Sequence, residues 1–187
     1  MPNLARAISL CLCVYLCTWP LLSSANEYSA QIRSAELTDT GKNLEIQAQI
    51  KYRLSPTAKE ALHKGVPLTW NVLVEIRELG QIWDNTIYAL ELPYRLQFHA
   101  LLSQYEVLTP NKQSEMFLTL NAALSFLANL RDVEPVSAKL FEPGHRYKLA
   151  VKCEFDRESL PVPLRPFAYL DSQWYLSSNW YICPIQR

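Results

Sequence analysis

Glycine is scarce in this sequence, with 4 residues among 187, and none of them belongs to a glycine-rich loop. A loop that cradles phosphate groups needs several glycines at fixed spacing, so nucleotide sites of that kind are excluded. An excess of positive charge is missing as well, because 18 Lys and Arg balance 18 Asp and Glu. Without a basic cluster, we do not expect the chain to bind nucleic acid or an anionic membrane through electrostatic attraction.

Catalytic and metal-binding patterns are missing too. The three histidines, His63, His99 and His145, have no metal-ligand spacing and no accompanying cysteine or acidic cluster. Ser159 and Ser178 lie outside any Gly-x-Ser-x-Gly elbow. We therefore expect no cofactor, no metal and no enzymatic activity. The alternative is a hydrolase that acts on peptidoglycan or another envelope polymer.

The first 25 residues differ in composition from the rest of the chain. Residues 7–22 are almost wholly apolar, Arg6 is the one charge in this segment, and the small residues Ser23, Ser24 and Ala25 follow. This pattern is typical of a secretory signal and predicts cleavage after Ala25 and a periplasmic or secreted protein. The alternative is a retained N-terminal membrane anchor, although the run is shorter than the roughly 20 residues of a spanning helix. After cleavage we expect no stable membrane span and a single domain over residues 26–187.

The middle of the chain carries the clearest structural signals. Apolar and polar residues alternate over residues 44–54 and again over residues 68–76, which predicts two strands with one face in water. Between them, Ser55 is a favoured helix N-cap, Gly65 suits the left-handed position after the last turn, and Pro67 blocks continuation. These signals predict a short helix that packs against the sheet.

Weaker alternation over the rest of the chain predicts further strands at hairpin-like spacing. Pro93 indicates an edge or bulged strand, because proline lacks a ladder donor. A second helix is predicted after Thr119, and the last strand is predicted over residues 173–183. The proline-rich loop over residues 160–166 is predicted to be extended. The expected fold is mainly β, an antiparallel β-sandwich, Ig-like in general architecture, with about eight strands and two short helices in connections. An α+β layer is the alternative.

Two cysteines, Cys153 and Cys183, lie beyond the N-terminal segment. If the chain is secreted, the oxidising compartment favours a disulfide between them, which would close a loop of about 30 residues. Two buried free thiols are the alternative.

A binding surface is predicted from polar and aromatic residues in the second half of the chain. Arg95 and His99 share the outward set of one strand, while Trp174 and Trp180 each stand beside a tyrosine, so that one member of each pair is expected to be exposed. The expected partner is a protein or an envelope component. A chaperone-like module that works by strand addition is a further alternative, and it requires a long unpaired edge strand. The predicted surface consists of Arg95, His99, Trp174, Trp180, Pro161 and Pro163.

Four ordered segments also carry a family resemblance. They are residues 53–68 (RLSPTAKEALHKGVPL), 94–107 (YRLQFHALLSQYEV), 119–132 (TLNAALSFLANLRD) and 159–181, which begins SLPVPLRP and ends WYLSSNWY. Together they resemble the proteobacterial secreted proteins labelled "proline-rich signal peptide protein", which are grouped as domain of unknown function 4390. The resemblance implies an envelope or sensor-kinase signalling context and no established activity.

Overall fold

The structure is a computed structural model that describes residues 28–40, 43–130 and 133–185. The predicted signal segment, residues 1–25, lies outside the described residues. In the part that is described, nine β-strands form two antiparallel sheets and three short α-helices lie in the connections. The prediction of a mainly β antiparallel sandwich is confirmed, and the third helix is additional to the two that the sequence predicts.

The smaller sheet has the order β1-β2-β7. Its strands are β1 (Ser29–Asp39), β2 (Asn43–Arg53) and β7 (Val136–Ser137). Burial alternates residue by residue along β2, as the period of two predicts. One face of this sheet therefore contributes to the core and the other faces solvent.

The larger sheet has the order β6-β5-β4-β3-β8-β9. Its strands are β3 (Leu68–Glu78), β4 (Asn85–His99), β5 (Gln104–Leu108), β6 (Ser114–Phe117), β8 (Tyr147–Phe155) and β9 (Tyr181–Ile185). β3 pairs with β4 on one side and with β8 on the other, so it lies in the middle of the sheet. Its inward residues are completely buried.

Trp70 lies where the two sheets meet. Its ring contacts Tyr52 of the smaller sheet edge-on at a centroid distance of 5.2 Å and Phe155 of β8 at 5.5 Å. Its indole Nε1 donates a hydrogen bond of 3.2 Å to the carbonyl of Leu176. Aromatic side chains of this size contribute much of the burial that stabilises a small core.

The helix α1 (Pro56–His63) forms as its flanking residues predict. The buried Ser55 hydroxyl accepts a hydrogen bond of 3.0 Å from the Ala58 N–H, and Gly65 has a φ of +86°. The second predicted helix, α2 (Leu120–Leu127), is capped by Thr119, whose hydroxyl accepts from the Ala122 N–H at 3.2 Å. Among the described residues, no helix has the length and apolar character that crossing a bilayer requires.

The C-terminal region differs from its prediction. The proline-rich loop is not extended but forms a 3₁₀ turn over Val162–Leu164 and the third helix, α3 (Arg165–Leu170). Pro163 and Pro166 each fall in the first turn of these helices, where the missing N–H costs nothing. A further 3₁₀ turn covers Ser172–Trp174, so the last strand is β9 and begins only at Tyr181.

Candidate functional site

β4 is longer than the strands that cover one of its sides. It has 15 residues and pairs with β3 from Asn85 to Leu96, whereas β5 has 5 residues and pairs only with Arg95 to His99. Among the described residues, no backbone group pairs with residues 85–94 on the side away from β3. We call this unpaired stretch the β4 edge.

The β4 edge is unpaired because β5 reverses direction early. After Leu108, which lies opposite Arg95, the Lys112 N–H donates to the Thr109 carbonyl at 2.9 Å and Lys112 takes a positive φ of 60°. The Thr109 N–H in turn donates to the Gln113 carbonyl at 2.9 Å, which leads the chain into β6. No strand in the described ranges therefore continues the direction of β5 beside the β4 edge.

Two features limit how many residues of the β4 edge are available for regular strand pairing. Ile87 has no partner on β3, because the register passes from Ile76 opposite Tyr88 to Arg77 opposite Thr86. Such a bulge twists an edge away from regular pairing. At the other end, Pro93 has no β5 partner and removes one donor, as expected for an edge strand. Between them lies a stretch of about five residues, 88–92, with regular register.

The side chains of this stretch alternate in character. Tyr88 and Leu90 are half-buried at the rim of the core, while Ala89 and Glu91 point to solvent. Burial, together with the nearby Glu134 carboxylate, raises the pKa of the Tyr88 hydroxyl, so this group is neutral under ordinary conditions. The stretch therefore offers backbone donors and acceptors along its edge, with apolar side chains on one face of the strand and solvent-exposed side chains on the other.

Arg95 and His99, both predicted as surface residues, lie on the outer face of β4 just beyond this edge. His99 contacts Glu106 at 2.6 Å, and the Ser114 hydroxyl donates to the other oxygen of the same carboxylate at 2.5 Å. The Ser114 hydroxyl, followed by His99, holds the pKa of Glu106 below its usual range. Serine and histidine both bond the carboxylate rather than each other, so this is not the order of a nucleophilic triad.

A small pocket of about 110 Å³ lies beside this cluster. Arg95, Gln97, Glu106 and Leu108 line it, and the Arg95 guanidinium donates to the Gln97 side chain at 2.8 Å. Because Leu108 is the last residue of β5, the pocket lies where the β4 edge begins. It has room for one small polar side chain.

Trp180, the second predicted aromatic, lies on the same outer face but farther across the sheet. Its ring is half-buried, with the Arg77 guanidinium 4.8 Å and the Lys152 ammonium 6.0 Å from its centroid. Contacts of this kind hold an indole in place on the sheet. Since β3 and β8 separate it from Arg95, the two predicted residues share a face but no single site.

Trp174 does not belong to any surface, and this part of the prediction is wrong. It is 2 % exposed and stacks on Phe155 at a centroid distance of 6.0 Å. The reason is that Trp174 lies in a 3₁₀ turn rather than on a strand, so the rule of opposite faces does not apply. Pro161 and Pro163 are exposed, in the connection that follows β8.

The predicted disulfide is also wrong, because Cys153 and Cys183 are free thiols. Cys183 lies opposite Leu149, four positions from Cys153 along β8, or about 13 Å at the usual rise of a strand. Cysteines whose Cα atoms are more than about 7 Å apart cannot form a disulfide. Cys153 lies fully buried beside the Tyr52 hydroxyl at 3.7 Å, and burial raises its thiol pKa to about 12.

A groove on the smaller sheet was not predicted from the sequence. Its volume is about 490 Å³, and it lies between the outer face of β2 and the chain that crosses beside it. Asn129 forms an isolated bridge with Gln49, while β7 pairs only with Asn43 and Leu44, which leaves a gap between the two contacts. The walls are mostly polar. The lining residues include Ser34, Glu36, Glu45, Gln47, Leu130 and Val133.

Comparisons with known proteins give one match. A family model with the description "Domain of unknown function (DUF4390)" matches residues 27–184, which is most of the chain. Neither the curated proteins nor the solved structures include a match. In the described ranges, His, Cys, Asp and Glu form no group of three with the geometry to hold a metal ion.

Proposed function

Since the chain belongs to the family described as a domain of unknown function (DUF4390), we propose a function from the geometry of the β4 edge. We propose that the protein is a non-enzymatic binding module that takes up a short extended segment of a partner protein. The segment would join the larger sheet as an additional strand beside β4. The apolar N-terminal segment supports a periplasmic or secreted location, so the partner would be a component of the cell envelope.

The observation that supports this proposal is the row of unpaired backbone groups over residues 85–94. An open edge of this kind pairs with an extended peptide through main-chain hydrogen bonds, and pockets for alternate side chains give specificity. The incoming strand would lie in line with β5 and antiparallel to β4, which is the slightly more stable arrangement. The bulge at Ile87 and Pro93 limit regular pairing to about five residues of β4.

Side chains around the edge indicate what the segment should contain. On the core side, Tyr88 and Leu90 are half-buried and would favour apolar residues at every second position. At the end next to Leu108, the pocket beside Arg95 would accept a small polar side chain. A sensor-kinase signalling context, which the family resemblance implies, is compatible with a partner of this type.

Site-specific crosslinking in intact cells tests the proposal. A photoreactive phenylalanine analogue replaces either Ala89, which is exposed on the β4 edge, or Gln47, which is exposed on the outer face of β2. We expect the Ala89 position to give an adduct of discrete mass whose crosslinks map to one short segment of a single partner. Adducts from Gln47 with none from Ala89 would contradict the proposal.

A matched pair of variants separates edge pairing from general charge effects. Ala89→Lys with Glu91→Lys places two lysines on the β4 edge, and edge lysines oppose strand addition. Glu45→Lys with Gln47→Lys makes the same change in charge on the smaller sheet. With a reporter at Tyr88, we expect the first variant to lose the adduct and the second to keep it. If both variants behave alike, strand addition at β4 is not the mode of binding.

A further inference from the structure

One end of the sandwich presents apolar side chains that the fold does not use. We call it the α1 end, because β2 ends there, α1 follows, and β4 turns into β5 beside it. The turn is ordered: the Leu102 N–H donates to the His99 carbonyl at 3.1 Å, and Ser103 takes a positive φ of 51°. This geometry directs Leu101 and Leu102 into solvent. Leu118, just after β6, is exposed at the same end of the sheet, because Phe117 lies opposite Tyr105 near the start of β5.

A second group of exposed apolar residues lies on the other side of α1. After β8, the chain forms α3, whose Ala168 is buried while Phe167 and Leu170 are exposed, and Val162 in the preceding turn is exposed too. The Thr57 hydroxyl at the start of α1 donates to the Gln173 side chain at 2.7 Å, which fixes this region against α1. The apolar residues of the α1 end are Leu101, Leu102, Leu118, Val162, Phe167 and Leu170, each at least 62 % exposed.

The chain also enters the fold at this end. Ser29, the first residue of β1, lies opposite Arg53, the last residue of β2. The apolar run over residues 7–22 is separated from Tyr28 by residues 23–27 alone, which reach about 18 Å when fully extended. Whenever residues 7–22 lie in a bilayer, the α1 end is therefore held next to its surface.

We propose that the α1 end docks on a lipid bilayer and inserts the exposed side chains of both groups into its interface. Exposed apolar patches of this kind mark interaction surfaces, and apolar side chains carry interfacial binding when basic residues are few. The formal net charge of the chain is +0, so we expect apolar burial rather than attraction to anionic lipid to supply the binding. This proposal is independent of strand addition at β4, which uses the side of the sheet rather than its end.

The opposite end of the sandwich supplies an internal control. There, the hairpin between β3 and β4 exposes Ile82 and Trp83 as strongly as the leucines of the α1 end. A protein that binds membranes through any exposed apolar residue would insert both ends equally. A protein that docks through the α1 end would keep Ile82 in water.

A penetration measurement on the full chain tests the proposal. An environment-sensitive fluorescent amino acid replaces Leu101, Phe167 or Ile82, and each protein is mixed with vesicles of phosphatidylethanolamine and phosphatidylglycerol that contain a quencher on the acyl chain. We expect a blue shift and loss of emission at Leu101 and Phe167, and an unchanged spectrum at Ile82. The same result is expected in neutral phosphatidylcholine vesicles and at high salt, because charge is not the source of binding.

Several outcomes would overturn this inference. They are quenching at Ile82, an unchanged spectrum at Leu101 or Phe167, and a blue shift at Leu101 that needs no vesicles and grows with protein concentration. The last would assign the α1 end to contact between two copies of the chain. Quenching that disappears in neutral vesicles would equally contradict docking by apolar side chains.

Discussion

Ser55 is completely buried although serine is polar, because its hydroxyl completes the first turn of α1. The hydroxyl accepts from the Ala58 N–H, which is one of the donors in the first turn that have no partner within the helix backbone. An unsatisfied buried donor costs more than an exposed one, since water cannot replace the lost partner. The stabilisation that a capping residue supplies should therefore depend on its burial, and Ser55 and Thr119, which cap α1 and α2, allow a direct comparison.

We expect Ser55→Ala to lower the free energy of unfolding by about 1–2 kcal/mol, the upper part of the range for lost N-caps. Thr119→Ala is the control, because Thr119 caps the similar helix α2 in an exposed position. Its cost should be about 0.5–1 kcal/mol. Urea unfolding of both variants measures the difference, and equal losses would show that burial of the Ser55 cap adds nothing.

The two thiols should differ in reactivity. Burial raises the thiol pKa of Cys153 to about 12, while Cys183 is half-buried and its pKa is also raised by burial. Because the thiolate is the reactive form, raising the pH increases the labelling of both thiols, and solvent access favours Cys183. We expect iodoacetamide to modify Cys183 first in the native protein and Cys153 only after unfolding, measured by peptide mass spectrometry. A peptide pair that links Cys153 and Cys183 would contradict the free thiols of the structure.

Among the elements, β4 is unusual because one strand has two different environments. Arg95 and Leu96 pair with both β3 and β5, whereas the part of the chain that is described pairs residues 85–94 with β3 alone. Amides of the β4 edge that point away from β3 have no backbone partner among the described residues. Local exposure of this kind lowers protection from hydrogen exchange even when the element itself stays folded.

Hydrogen exchange followed by NMR should divide β4 into two parts. We expect roughly every second amide within residues 85–94 to exchange quickly, since successive peptide groups of a strand point to opposite sides. Amides of Arg95 and Leu96, which pair on both sides within the same strand, serve as the control and should exchange slowly. Uniform protection along the whole strand would mean that another part of the chain covers the edge, which would also remove the basis of the proposed function.

Local signals predict the first half of the fold well and the last part poorly. The strands around α1 and the caps of α1 and α2 follow from alternation and capping residues alone, since both depend on neighbours in sequence. The prolines of residues 160–166 fit an extended course and the first turn of a helix equally, so only packing decides between them. The prediction of Trp174 on the surface assumes a strand, whereas Trp174 lies in a 3₁₀ turn and packs into the core.

The candidate site depends on features that sequence reveals only in part. Pro93 indicates an edge correctly, but the length of the edge depends on the turn at Thr109, where β5 ends early. A strand's neighbours in space cannot be read from alternation, which has the same period in edge and central strands. The alternation along β4 predicts that Arg95 and His99 share its outer face, as the structure has them, whereas the apolar α1 end follows only from the three-dimensional arrangement of three separate connections.

At the scale of the whole molecule, the two sheets share one hydrophobic core, and Trp70 lies where they meet. Trp70 of β3 contacts Tyr52 of β2 and Phe155 of β8, and its indole bonds the Leu176 carbonyl in the C-terminal segment. The same carbonyl accepts from the Ala30 N–H of β1 at 3.1 Å. A change at Trp70 should therefore affect the stability of both sheets together rather than one element.

Trp70→Phe tests this coupling, because phenylalanine keeps an aromatic ring but leaves a cavity where the indole lay. We expect a loss of roughly 2 kcal/mol in the free energy of unfolding, mainly from packing, since the Leu176 carbonyl keeps its bond from Ala30. Trp83→Phe is the control. Trp83 is 85 % exposed in a hairpin, so this substitution should change the free energy of unfolding by less than about 0.5 kcal/mol. Urea unfolding followed by circular dichroism and by fluorescence measures both variants. Coincident transitions at a lower midpoint for Trp70→Phe are expected, because the sheets share one core, whereas two separate transitions would mean that the sheets unfold independently.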